Sequence, residues 1–122
     1  MEWDIVIHDE DGYVEVITSG LADKDGSLNM AHAIKDTMRS HRIMKVLIDH
    51  RNIEDVAGDS FDIYDRPKIF RLIGVILRIR IAEIIKPEHL DHFVFFETVC
   101  RNQGFKLSVF QDKDKALAWL LS

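Results

Sequence analysis

Cysteine is almost missing from the sequence: Cys100 is the single thiol among 122 residues. One thiol excludes an internal disulfide framework and any cysteine-rich zinc site. An excess of positive charge is also missing. Sixteen Lys and Arg stand against 21 Asp and Glu, a net charge of −5, which argues against a general nucleic-acid or anionic-membrane binder. No long hydrophobic run exists either. The nearest, Ile69 to Ile85, is broken by Arg71, Arg78, Arg80 and Glu83 and is too interrupted to span a bilayer. The start, Met1-Glu2-Trp3-Asp4, is acidic and enters strand-like sequence at once, so no secretory leader is expected. With the lone thiol, this predicts a reducing cytoplasm. With two prolines and six glycines, no linker, internal repeat or low-complexity tract appears.

What is present is the composition of a globular protein, 47% apolar and 30% charged. The length fits one domain, residues 1–122. Folding at this size hides roughly 65% of the surface of the unfolded chain.

Ile5 to Ile7 and Tyr13 to Thr18 are β-branched, alternating runs around Asp9-Glu10-Asp11-Gly12. They predict an antiparallel hairpin, with Gly20 ending its second strand and a polar loop from Asp23 to Ser27. Ser27 is the expected cap of a helix carrying Ala31, Ile34 and Met38 to about Ser40. Met44 to Asp49 has the unalternating apolar character of a parallel strand covered on both faces. Asn52 to Ser60 reads as a loop. Phe61 to Val75 has helical period but contains Pro67, so it starts either at Asp65 or by a turn from Ser60. Arg78 to Ile85 is a strand, Glu88 to Asn102 a helix entered through Pro87, and Phe105 to Phe110 the last strand. Asp112 caps a closing helix. The order ββαβαβαβα predicts an α/β fold: a single-layer mixed, mainly parallel five-stranded sheet packed with about four helices.

Several stretches, in this order and spacing, resemble the STAS domain family, in particular its single-domain bacterial branch similar to anti-sigma factor antagonists. They are Val16 to Leu21, Val46-Leu47-Ile48-Asp49 with Arg51, and Arg80-Ile81-Ala82 before a proline-started helix. Arg101-Asn102-Gln103-Gly104 before the last strand and Ala116-Leu117-Ala118-Trp119-Leu120 complete the set. The resemblance implies a STAS-like fold and a non-enzymatic regulatory or protein-interaction module. Antagonists that act as phosphorylation switches carry Ser or Thr after an Asp at a helix start. The counterpart here is Asp59-Ser60-Phe61, further from Asp49 than that pattern and without a following glycine, a degraded switch.

Ser60 is thus the phospho-acceptor candidate, at a place where a helix dipole would stabilise phosphate; its plain alternative is a capping serine. Loops at the carboxyl ends of parallel strands converge on a crevice where ligands bind. Asp49, Arg51, Asp59 and His89 are its candidates, although Asp49 has a simpler use as a loop cap. His89 and His92 share a helix face but have no announced third ligand, so no metal and no cofactor are expected. His89, beside Phe93, Phe96 and Cys100, reads as a partly buried, hydrogen-bonded histidine. Val94 and Phe95 project away from that side, which marks them as interface candidates, with a homodimer expected and the protein partner unidentified. Arg66, Lys68, Arg71, Arg78 and Arg80 form a basic run read as a solvated face. No nucleophile elbow, phosphate-cradling loop or metal quartet is present, so no enzyme is expected. The alternative to the interaction module is binding of a small apolar or lipid-like ligand.

Overall fold

Turn chemistry opens the fold as expected. The Gly12 N–H donates to the His8 carbonyl at 2.9 Å, and Gly12 takes φ +77°, a conformation that favours a residue without a Cβ. This turn joins β1 (Glu2–His8) to β2 (Tyr13–Ala22) in an antiparallel pair. The computed structural model describes residues 1–56 and 79–122. Its further strands are β3 (Lys45–Val56), β4 (Arg80–Ile84) and β5 (Lys106–Phe110), and its α-helices are α1 (Lys24–His41), α2 (Leu90–Asn102) and α3 (Lys113–Leu120).

The strands lie in the order β1-β2-β3-β4-β5. The β2–β3, β3–β4 and β4–β5 pairs are parallel, so the sheet is mixed. Among the described residues there are three α-helices rather than about four. The helix expected from Phe61 to Val75 lies outside the described residues, as do Asp59, Ser60, Arg66, Lys68, Arg71 and Arg78.

Alternation along each strand sorts side chains onto two faces. Val14, Val16, Val46, Ile48 and Ile81 meet Met30, Ile34 and Met38 of α1 and Phe96 and Cys100 of α2. Tyr13, Leu47, Ala82 and Ile84 point the other way, onto Ala116 and Leu120 of α3. The central run Val46–Ile48 is buried throughout because both faces are covered. Each such side chain contributes about 1.5–3 kcal/mol by leaving water.

Three local expectations change. Gly20 does not end β2; it sits at φ +84° beside an irregular register and the strand continues to Ala22. Ser19, Gly20, Leu21 and Ala22 pair with Asn52, Ile53, Asp55 and Val56, so β3 extends to Val56, into the stretch from Asn52 to Ser60 expected to be loop, anchored by fully buried Ile53. Asp23, not Ser27, caps α1, its carboxylate accepting the Gly26 N–H at 2.6 Å. The Asp112 cap of α3 is as expected, accepting the Asp114 N–H at 2.8 Å. Pro87 starts a 3₁₀ turn, Pro87–His89, before α2.

Candidate functional site

Two adjacent polar groups sit within β3, level with the carboxyl end of β4, one on each face of the sheet. Asp49 has the parity of Leu47 and faces the α3 side; His50 has the parity of Ile48 and faces α1 and α2.

On the α3 side, Asp49 is locked by its neighbour. The Arg51 backbone N–H and Nε–H donate to Oδ1 at 3.0 and 2.9 Å, and Nη2 donates to Oδ2 at 2.8 Å. Burial pushes the Asp49 pKa up, but hydrogen bonds from the Arg51 side chain and backbone and the guanidinium charge outweigh it, leaving it below the usual carboxylate value. Asp49 therefore holds the Arg51 fork and backbone within β3 rather than capping a loop. Nearby, Glu15 accepts from His8 Nε2 at 2.8 Å and from Lys113 Nζ at 3.1 Å. Burial again works upward and these two donors win, so the Glu15 carboxyl also sits low.

On the opposite side is a cavity of about 420 Å³ between the sheet and α1 and α2. Its lining is mainly apolar and includes Met30, Ile34, Met38, Ile48, Ile81, Phe93 and Phe96. Toward the carboxyl ends of the strands the lining turns polar with His50, Glu83 and His92. His50 is held from two sides. Its Nδ1 lies 2.7 Å from Thr18 Oγ1, whose hydroxyl donates to the Asp49 carbonyl at 3.2 Å, and its ring stacks on Phe93 at 5.0 Å. Its Nε2 stands 3.8 Å from Glu83 Oε1, within ion-pair range but beyond a hydrogen bond. Glu83 is 4% exposed and among the described residues its Oε2 has no hydrogen-bond partner. A buried acceptor without a donor costs about 1–3 kcal/mol.

Asp49 and Arg51 are thus brought together, whereas no hydrogen bond or ion pair among the described residues joins either to His89. His89, read from the sequence as a partly buried, hydrogen-bonded histidine, is buried, and among the described residues its Nδ1 has no hydrogen-bond partner. His92 lies edge-on to Phe93 and lines the cavity. Among the described residues no three His, Cys, Asp or Glu side chains are grouped so as to hold a metal ion, and no helix is long and apolar enough to cross a membrane. Val94 and Phe95 are 43% and 40% exposed on α2. Arg80, the described member of the basic run, packs over the Trp119 ring at 4.3 Å and donates to the Ser122 carbonyl at 2.8 Å.

Sequence reasoning passed over Thr18 and Glu83. The available signal was Glu83 itself, a charge inside Ile81-Ala82-Glu83-Ile84-Ile85, a run otherwise suited to a strand covered on both faces.

Neither a family model nor a curated protein matches the chain. Among solved structures, it is similar to an anti-sigma factor antagonist from Mycobacterium paratuberculosis at TM-score 0.67 and 14% identity, covering 99% of this chain and 94% of that one. An uncharacterized protein of the DUF3478 family with a SpoIIAA-like fold, from Shewanella loihica, matches at TM-score 0.59 and 20% identity, covering 98% and 92%. The anti-sigma factor antagonist SpoIIAA in its unphosphorylated form matches at TM-score 0.52 and 11% identity, covering 97% and 96%. The fold is STAS-like, of the SpoIIAA type.

Proposed function

We propose that this chain is a non-enzymatic regulatory module of STAS type that acts by docking proteins, the first of them a second copy of itself. The observation that carries the reading is the outer surface of α2, where Leu90, Val94 and Phe95 are 37%, 43% and 40% exposed while Phe93, Phe96, Val99 and Cys100 already fill the inner side. Apolar residues grouped on an outward helix face mark an interaction surface. The shared fold with two anti-sigma factor antagonists supports a regulatory role. Asp49 and Arg51 supply a fixed polar contact at the strand ends, with the Arg51 side chain 45% exposed. Ser60 is the proposed phospho-acceptor on sequence alone, checked by a mass shift after treatment with a serine kinase of the antagonist class. Light scattering over a concentration series tests self-association. We expect a dimer that Val94→Ser with Phe95→Ser converts to monomer without lowering the unfolding midpoint; a wild-type monomer at every concentration would refute it.

The cavity favours a second reading, binding of a small apolar or lipid-like ligand. Its volume of about 420 Å³ falls in the range of ligand sites, roughly 300–1,000 Å³. Native mass spectrometry of the purified chain is the test, with a co-purified small molecule as the expected result.

A further inference from the structure

The second reading leaves the ligand's polar end unspecified, and the buried end of the cavity specifies it. We infer that the cavity takes a single-chain amphiphile whose head donates a hydrogen bond, a hydroxyl or a primary ammonium, to Glu83. The inference rests on the cavity being a binding site and adds which chemistry it selects.

Glu83 Oε2 is an acceptor buried beside the cavity and, among the described residues, lacking a donor. His50 does not supply one, since its Nε2 is 3.8 Å from the other carboxylate oxygen. Nor is His50 free to swing closer, because Thr18 and the Phe93 ring hold it in place. No described residue supplies the missing donor, and a head group entering the cavity that Glu83 lines can. A carboxylate or phosphate head has no proton to offer at neutral pH and would leave Oε2 unpaired. A hydroxyl or ammonium head satisfies Oε2 directly. Its alkyl chain then runs along Ile81, Ile48 and Phe96, which line the same space. Sites built around a buried polar group discriminate strongly against ligands that leave that group unpaired.

Calorimetric titration of the full chain at pH 7 with 1-decanol, decylamine and decanoate, each below its micelle concentration, tests the inference. The expected result is that the alcohol, the amine or both bind the wild type roughly tenfold or more tightly than decanoate. In Glu83→Gln, whose amide supplies its own donors and carries no charge, that preference should fall to within about threefold while the chain still binds. Equal affinity for decanoate in the wild type, or an unchanged preference in Glu83→Gln, would overturn the inference and leave the apolar cavity reading standing. If none of the three probes binds the wild type, the cavity reading fails and the inference with it. Because the wild-type comparison needs no variant, a poorly folding Glu83→Gln would not protect the idea.

Discussion

Glu97 reaches from α2 to the open edge of the sheet, where its Oε2 accepts the Val109 N–H at 2.6 Å. Four residues on, Arg101 Nε–H donates to the Leu107 carbonyl at 2.8 Å. β5 is an edge strand, and an edge with free N–H and C=O groups is a template for pairing with other chains. Two side chains one helical turn apart occupy those groups here, so α2 shields the edge as well as covering the core.

Removing the Glu97 acceptor should therefore act on stability and on association together. Glu97→Ala is expected to lower stability by about 1–2 kcal/mol, the value of a charge-assisted hydrogen bond at a half-buried site. It should also speed aggregation. Glu97→Gln keeps an acceptor oxygen and should lose about half as much. Urea unfolding midpoints with light scattering of the same samples measure both effects. Equal midpoints for Ala and wild type would mean that water satisfies the Val109 N–H just as well.

A second prediction concerns acid. Asp49 and Glu15 both have folded-state pKa values below their ordinary ones, because their donors outweigh the upward push of burial. A depressed carboxyl stabilises the fold above its unfolded value, about 3.9 for Asp and 4.3 for Glu, and loses that contribution as pH falls through the folded value. The wild type should thus weaken steadily below about pH 4. Asp49→Asn should be less stable at pH 7 by about 1–2 kcal/mol, a figure reduced by the exposure of Arg51. Its stability should change less between pH 5 and 2, roughly the window in which the native carboxylates protonate. Denaturant titrations at stepped pH give the slopes, and parallel curves for the two proteins would contradict the assignment.

The order of the described elements was legible in the sequence because period and punctuation agree: the Asp-Gly turn before Tyr13, the solid apolar run at Val46, the Asp112 cap. The far halves of β2 and β3 were not. Gly20 reads as a stop in any sequence, yet here it sits at an irregularity past which the strand continues, and only pairing of Ser19–Ala22 makes Asn52–Val56 a strand. Tertiary pairing overrides local propensity there. The polar end of the cavity was hidden for a related reason. Thr18, His50 and Glu83 come from three strands and meet only through register, with Glu83 opposite Ile48, and no spacing along one segment announces such a meeting. Asp49 and Arg51, two residues apart, were the pair that sequence alone put together.

Arg42 supplies a stability prediction of the opposite sign. It closes α1 at φ +56°, ψ +40°, with its N–H donating to the Met38 carbonyl. A left-handed conformation costs a residue with a Cβ about 1–2 kcal/mol, against the roughly 0.5–1 kcal/mol of extra chain entropy that glycine loses on folding. Arg42→Gly should raise stability by about 0.5–1 kcal/mol and the melting midpoint by roughly 2–4 °C. Arg42→Val, β-branched at the same angle, should lower both. Thermal melts of the three proteins decide it, and a glycine variant no more stable than valine would remove the backbone explanation.

Thr18 tests whether the buried polar end is held as a unit. It is fully buried, donates to the Asp49 carbonyl at 3.2 Å and meets His50 Nδ1 at 2.7 Å. Thr18→Val keeps the shape and removes the hydroxyl, leaving the His50 nitrogen and the Asp49 carbonyl without that partner, at a cost of about 1–3 kcal/mol. Thr18→Ser keeps the hydroxyl and loses a methyl, so its cost should be nearer 1 kcal/mol. The informative readout is the His50 ring. With its Nδ1 anchor gone, the ring should leave its 5.0 Å stack on Phe93, and its side-chain NMR shifts should move in Thr18→Val but stay near wild type in Thr18→Ser. Unchanged shifts in both variants would show that Phe93 alone positions the imidazole.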